Sequence, residues 1–240
     1  MKRAVVTGGT KGIGFSIVEM LLREEYEVIF TYGHDDASAE DCRNRLASFK
    51  GKYEIFKVDQ SDKYQVSEFA KQIYQYGTID CVVLNAGTTF RNNTLKEIDD
   101  KQWERVMTVN VNSPFYLIRD LYDAIAPNSR IVFIASELGI KPHSMSLAYG
   151  VTKSAVIALT KNLVKYFDGT GTTVNAIAPG FIDTEWQQEK PVEIRNSICD
   201  KTALHRFGTP AEVANAVRFC INNAFLNGSV IELTGGYCYK

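Results

Sequence analysis

Seven short runs of β-branched, aromatic or small apolar residues recur along the chain, with helix-length stretches between them: Ala4 to Val6, Val28 to Thr31, Glu54 to Val58, Cys81 to Leu84, Ile131 to Ala135, Val174 to Ile177 and Val230 to Leu233. Runs of this kind read as strands. Several lack the polar alternation of a sheet with one wet face, as parallel strands do when helices cover both sides. Between the first two, Ile13, Ile17, Met20 and Leu21 fall at helical spacing. The alternation predicts an α/β fold: a doubly wound, Rossmann-type sheet of seven parallel strands flanked by helices.

No repeat, low-complexity tract or Pro/Gly-rich linker divides the 240 residues, so residues 1–240 are expected to form a single domain. Regular patterning fails between about 181 and 209, where Pro191 interrupts it. Long irregular segments in compact domains tend to be functional, and this one is expected to be a partly helical substrate lid. Lys and Arg total 27 against 28 Asp and Glu, a net charge of −1, which gives no field to attract nucleic acid or an anionic membrane. No run of about 18 apolar residues is present, and Met1 to Gly8 has no secretory pattern. A cytoplasmic protein is expected. Cys42, Cys81, Cys199, Cys220 and Cys238 are scattered and odd in number, hence expected to be reduced packing residues with no metal site.

The first strand runs directly into Thr7-Gly8-Gly9-Thr10-Lys11-Gly12-Ile13-Gly14 and then the first helical stretch. Glycines there let the backbone turn sharply and approach a pyrophosphate, whose charge is favoured by the unpaired N–H groups of a helix start. Any tight strand-to-helix turn has some of this character, so the motif is weak alone. Its spacing, with three residues between Gly8 and Gly12, resembles the T-G-x-x-x-G-x-G signature of the classical short-chain dehydrogenase/reductase family, and further matches follow in order. Asp59 stands where that family holds the adenine, Asn85-Ala86-Gly87 matches its N-A-G, and Pro179-Gly180 follows the sixth strand. Asn110, Ser136, Tyr149 and Lys153 match its catalytic tetrad, and the likeness extends from Ala4 to Gly236.

The resemblance implies a nicotinamide dinucleotide held by Gly8, Thr10, Lys11, Gly12, Ile13, Gly14, Tyr32, Asp59, Asn85, Ala86, Gly87, Tyr149, Lys153, Pro179, Gly180, Ile182 and Thr184. Relatives that use NAD carry an acid at the tip of the second strand, whereas a 2′-phosphate needs that acid gone and a cation near. Tyr32 occupies the tip and Lys11 the place of the cation, so NADPH is favoured over NADH. Asp35 and Asp36 oppose this if their loop folds inward, and His34 reads as an ordinary loop residue.

Tyr149 and Lys153 are four residues apart, on one face of a helix. An ammonium beside the phenol is expected to lower the tyrosine's pKa from about 10 and make it a general acid or base. Alone, Tyr149 reads as a packed aromatic, Ser136 as a turn or cap serine, and Asn110 as the polar residue of a kink. The family likeness implies more: Tyr149 protonates a carbonyl that receives hydride, Ser136 positions it, Lys153 holds the nicotinamide ribose, and Asn110 steadies a water that relays protons.

Pro179-Gly180-Phe181-Ile182-Asp183-Thr184 and His205-Arg206-Phe207-Gly208-Thr209-Pro210 resemble the corresponding segments of 3-oxoacyl-ACP reductases, which implies reduction of a 3-oxoacyl thioester in fatty-acid synthesis. Trp186, Gln187 and Gln188 of the lid are candidates to contact an acyl arm or to anchor packing. An acyl carrier protein needs a basic docking patch, yet Ala124 to Ser129 and Phe167 to Thr172, where those reductases carry it, contain no Lys or Arg. A small ketone, sugar or polyol is the alternative substrate, and a dinucleotide sensor without chemistry is a third reading. Relatives are commonly homotetramers; the tail Gly235-Gly236-Tyr237-Cys238-Tyr239 suits burial at a subunit contact in a homotetramer or homodimer, or packing on the chain's own lid.

Overall fold

The computed structural model describes residues 1–90, 94–141 and 147–237. Strand β1 (Arg3–Thr7) leads through the Gly-rich turn into α1 (Gly12–Arg23), followed by β2 (Glu27–Tyr32), α2 (Asp36–Arg45), β3 (Tyr53–Lys57) and α3 (Lys63–Ile73). Then come β4 (Ile79–Leu84), α4 (Asp100–Met107), α5 (Ser113–Asp120), β5 (Ile125–Ile134) and α6 (Leu147–Leu163). The chain continues with β6 (Thr173–Pro179), α7 (Glu185–Gln188), α8 (Val192–Lys201), α9 (Pro210–Asn222) and β7 (Val230–Leu233). The seven strands form one sheet in the order β3-β2-β1-β4-β5-β6-β7, every neighbouring pair parallel. This is the doubly wound α/β fold expected from the alternation.

The missing polar alternation has a direct cause. Along β1, Val5 packs into one core with residues of α3, α5 and α6, while Ala4 and Val6 face the other core with α1 and α9. Successive strand residues point to opposite faces, and both faces are dry. Leu117 and Val156 fill the first core; Ile17, Leu21, Val213 and Val217 fill the second, all fully or almost fully buried.

Two local details add to these expectations. A short helical turn ends at Ala124 and β5 begins directly at Ile125, with a register shift that sets Ile79 opposite Ile125 and Cys81 opposite Arg130. The bulge takes up the extra residues at Pro127, which lacks an N–H, and at Asn128, whose φ is 63°. The span 181–209, read as partial helix, contains α7 and α8. Both are short, and Pro191 lies between them as the N-cap of α8.

Among the described residues no helix is long and apolar enough to cross a membrane, and no cluster of metal-ligating side chains occurs. Cys42, Cys81, Cys199 and Cys220 are free thiols, and Cys238 lies outside the described residues.

Candidate active site

The strand order reverses at β1, which lies between β2 and β4, and a ligand crevice is expected beyond the strand ends there. A cleft of about 490 Å³ opens at that place. Its floor is the turn after β1. Gly8 and Gly12 take φ of +67° and +54°, a region that favours glycine. At Gly14 the constraint is space: a Cβ would stand 2.0 Å from the Gly8 carbonyl oxygen and 2.6 Å from Asn85 Nδ2. Asn85 pins the turn from β4, its amide donating to the carbonyls of Thr7 at 3.1 Å and Gly8 at 2.9 Å. Thr7 Oγ1 in return accepts from the backbone N–H of Asn85 and of Ala86, each at 3.0 Å.

Lys11 caps α1 without a side-chain bond, and no acid occupies the first turn. The free N–H groups and the helix dipole therefore point at the cleft, as a pyrophosphate requires. A cradle that no side chain could enter, facing unpaired donors, fits a dinucleotide. Gly14→Ala is expected to lose about 1–3 kcal/mol of stability through overpacking and to weaken dinucleotide binding in parallel; thermal unfolding beside a cofactor titration checks both.

Every cofactor candidate named from the sequence lines this one cleft. Gly8, Thr10, Lys11, Gly12, Ile13 and Gly14 form one wall; Tyr32 and Asp59 lie at the ends of β2 and β3. Asn85, Ala86 and Gly87 follow β4, and Pro179, Gly180, Ile182 and Thr184 follow β6. Ser136, Tyr149 and Lys153 close the far end. Asn110 is the exception, buried behind the cleft. It sits in a π-helical turn, Thr108–Asn112, between α4 and α5, an irregularity that often marks functional positions. Its Oδ1 accepts from Thr88 N at 2.8 Å, and its Nδ2 donates to Thr88 O at 2.9 Å and Thr152 Oγ1 at 3.0 Å. Asn110 thereby ties the loop after β4 to α6 one residue before Lys153.

The Lys153 ammonium lies 5.4 Å from the centre of the Tyr149 ring and donates to the Ile134 carbonyl at 2.7 Å. Ser136 caps the turn after β5, its Oγ accepting from Leu138 N at 3.2 Å. The electrostatics correct one expectation. Burial pushes the Tyr149 phenol up to about 12, with a hydrogen bond to Ser136 pulling the other way. Burial also pushes Lys153 down to about 8. Desolvation is the dominant influence on both groups, and it favours the neutral, protonated phenol. A phenol in that state is a hydrogen-bond donor and an acid.

At the adenosine end, Asp35 does fold inward: it caps α2 and its Oδ2 lies 2.9 Å from Lys11 Nζ. Asp36 is instead paired with Lys57 at 2.7 Å and accepts from the Tyr32 hydroxyl at 2.9 Å. His34 lines the cleft, its Nε2 3.3 Å from Asp59 Oδ2. Trp186 and Gln187 of α7 line it as well, whereas Gln188 does not.

Gln60, Arg105 and Glu185 also line the cleft without having been singled out in the sequence. Gln60 adjoins Asp59 and is buried, with a Ser113 hydroxyl bonded to its Oε1; nothing in its local sequence distinguishes it from a surface glutamine. Thr152 was legible in principle, since it shares the helical face of Tyr149, whose carbonyl accepts its hydroxyl at 2.8 Å.

Residues 2–194 match the family model described as short chain dehydrogenase. The chain is 32% identical over 241 residues to the 3-oxoacyl-[acyl-carrier-protein] reductase FabG of Chlamydia muridarum, covering 98% of this chain and 96% of that protein. Among solved structures it resembles a short-chain dehydrogenase/reductase from Serratia marcescens, with a TM-score of 0.92, 28% identity, and 99% and 98% of the two chains covered. It also resembles ElxO with NADP bound, with a TM-score of 0.90, 28% identity, and 100% and 99% covered.

Proposed function

Because the chain belongs to the short-chain dehydrogenase family, we propose that this oxidoreductase is an NADPH-dependent ketoreductase that converts a 3-oxoacyl thioester to its 3-hydroxyacyl form. One observation carries the reading: Tyr149, a buried Lys153 and Ser136 meet at the end of the same cleft whose other end is the glycine cradle. The Gly-rich turn and the start of α1 hold the pyrophosphate, Asp59 the adenine, Lys11 the 2′-phosphate, and Lys153 the nicotinamide ribose. Bound NADPH supplies the hydride. Ser136 and Tyr149 orient the ketone by hydrogen bonds to its oxygen, and the Tyr149 hydroxyl gives up its proton to that oxygen as the alcohol forms. Lys153 stabilises the phenolate left behind, and Asn110 fixes α6 so that the amine stays in reach.

In this reading the thioester is free of an acidic carrier protein. Arg130, the base nearest the usual docking face, is taken up by backbone carbonyls of Asn128 at 2.7 Å, Ser129 at 2.9 Å and Ile221 at 3.0 Å. Arg119 is paired with Asp120 at 2.7 Å. The Arg119 charge is thus offset, and the Arg130 guanidinium, though still charged, is held against the backbone, which weakens the case for steering an acidic partner. Acetoacetyl-CoA with NADPH, beside a panel of sugars and polyols, is the test. Turnover is expected on the thioester; turnover confined to a sugar or polyol moves the function to that class, and cofactor binding without turnover on any carbonyl makes the protein a sensor.

An oligomer belongs to the same reading, supported by the exposed aromatic side chains of Phe115, Tyr122 and Tyr166. The tail gives less support: Tyr237 is buried against Phe181 of its own chain, with ring centres 5.0 Å apart, and Cys238 and Tyr239 lie outside the described residues. Sizing chromatography distinguishes a tetramer or dimer from a monomer.

A further inference from the structure

The adenosine corner of the cleft is short of positive charge. Lys11 Nζ stands 2.9 Å from Asp35 Oδ2 and 3.2 Å from Glu185 Oε2, so two carboxylates face one ammonium. The neighbouring cationic groups are engaged elsewhere: Lys57 is bound to Asp36 at 2.7 Å, His34 is turned to Asp59 at 3.3 Å, and the Arg105 charge also acts on Asp59. The three groups come from three separate elements, namely the Gly-rich turn, the cap of α2 and the first residue of α7.

The two acids are not equivalent. Asp35 is held by the helix it starts, accepting from Ser38 N at 2.9 Å and Ser38 Oγ at 2.7 Å, and these bonds with that to Lys11 keep its carboxyl well below the usual range. Glu185 has no such anchor. Its side chain is 59% exposed, and Lys11 is its one ion-pair partner among the described residues. What keeps it in place is the start of α7, where Thr184 packs on the turn: a Cβ at Gly12 would lie 3.3 Å from Thr184 Cγ2.

A ribose 2′-phosphate carries nearly two negative charges near neutrality. Placed at Lys11, it meets both carboxylates as well as the ammonium, and the exposed, unanchored one has to yield. A ribose with a free 2′-hydroxyl makes no such demand and leaves the Lys11–Glu185 pair intact. We propose that Glu185 is a specificity-determining residue that competes with the 2′-phosphate for Lys11 and so holds down the preference for NADP(H) over NAD(H). This rests on NADP(H) being the cofactor, with Lys11 at its 2′-phosphate.

The test is titration of wild type, Glu185→Gln and Glu185→Lys with NADP⁺, NAD⁺ and adenosine 2′,5′-bisphosphate. An exposed ion pair is weak, so Glu185→Gln is expected to tighten NADP⁺ and the bisphosphate about two- to five-fold, and Glu185→Lys about tenfold, with NAD⁺ moving less than about twofold. A ratio of NADP⁺ to NAD⁺ affinity that neither variant changes overturns the proposal, as does a change in the opposite direction. Wild type binding NAD⁺ more tightly than NADP⁺ contradicts the cofactor reading instead; the shift between wild type and variants still decides the role of Glu185.

Discussion

Tyr149→Phe is expected to lower kcat by about 10²–10⁴-fold while leaving the dissociation constant for NADPH within about twofold of wild type. The substitution removes one hydroxyl from a half-buried ring and leaves the shape of the cleft unchanged. The separation of effects follows from the role. A proton given to the carbonyl oxygen matters only as the alkoxide develops, whereas in the proposed reading the cradle, Asp59 and Lys153 hold the dinucleotide without that hydroxyl. Steady-state rates with acetoacetyl-CoA, beside a fluorescence titration of NADPH, measure the two quantities. Near-normal turnover in the variant contradicts the assignment of Tyr149.

Lys153→Met is expected to fail on both counts, with kcat down at least tenfold and dinucleotide affinity down about tenfold or more, since hydrogen bonds from a charged group are lost. Methionine is chosen because it fills the same buried space. Burial pushes the ammonium down to about 8, so kcat/KM for NADPH in the wild type should fall as pH rises through that region, and this limb should vanish in the variant. Stability moves the other way. The unfolded chain binds the lysine proton up to its ordinary value of 10.5, while the folded chain releases it near 8, so wild-type stability rises with pH across that window. The methionine variant lacks this rise. A kcat/KM profile that keeps its alkaline limb without Lys153 assigns the limb to another group.

Much of this was written in short-range patterns. The inner strands announced themselves because both of their faces are buried, so that in β1 Ala4, Val5 and Val6 are all apolar. The glycine turn was legible because steric limits at Gly8, Gly12 and Gly14 leave few alternatives. Tyr149, Lys153 and Ser136 stood out through their match to the family's tetrad, and helical spacing added only that the first two share one face of a helix. What the sequence hid depends on distance in the fold. The inward turn of Asp35 is set by the cap it makes on α2, and the meeting of Lys11 with Glu185 spans 174 residues of chain. The bulge at Asn128 reflects a pairing between β4 and β5 that no local pattern encodes. The upward shift of Tyr149 has the same origin: spacing reveals the neighbouring cation, but not how far the surrounding fold desolvates the two polar groups.

A crystal structure with NADP⁺ and an unreactive 3-oxoacyl thioester analogue bears most directly on the proton transfer. With Tyr149 as the donor, the 3-oxo oxygen will lie within about 2.6–3.2 Å of the tyrosine hydroxyl, on the side of the nicotinamide ring that faces Ser136. A ketone bound with that oxygen turned away from Tyr149, or a dinucleotide lodged outside the glycine cradle, contradicts it.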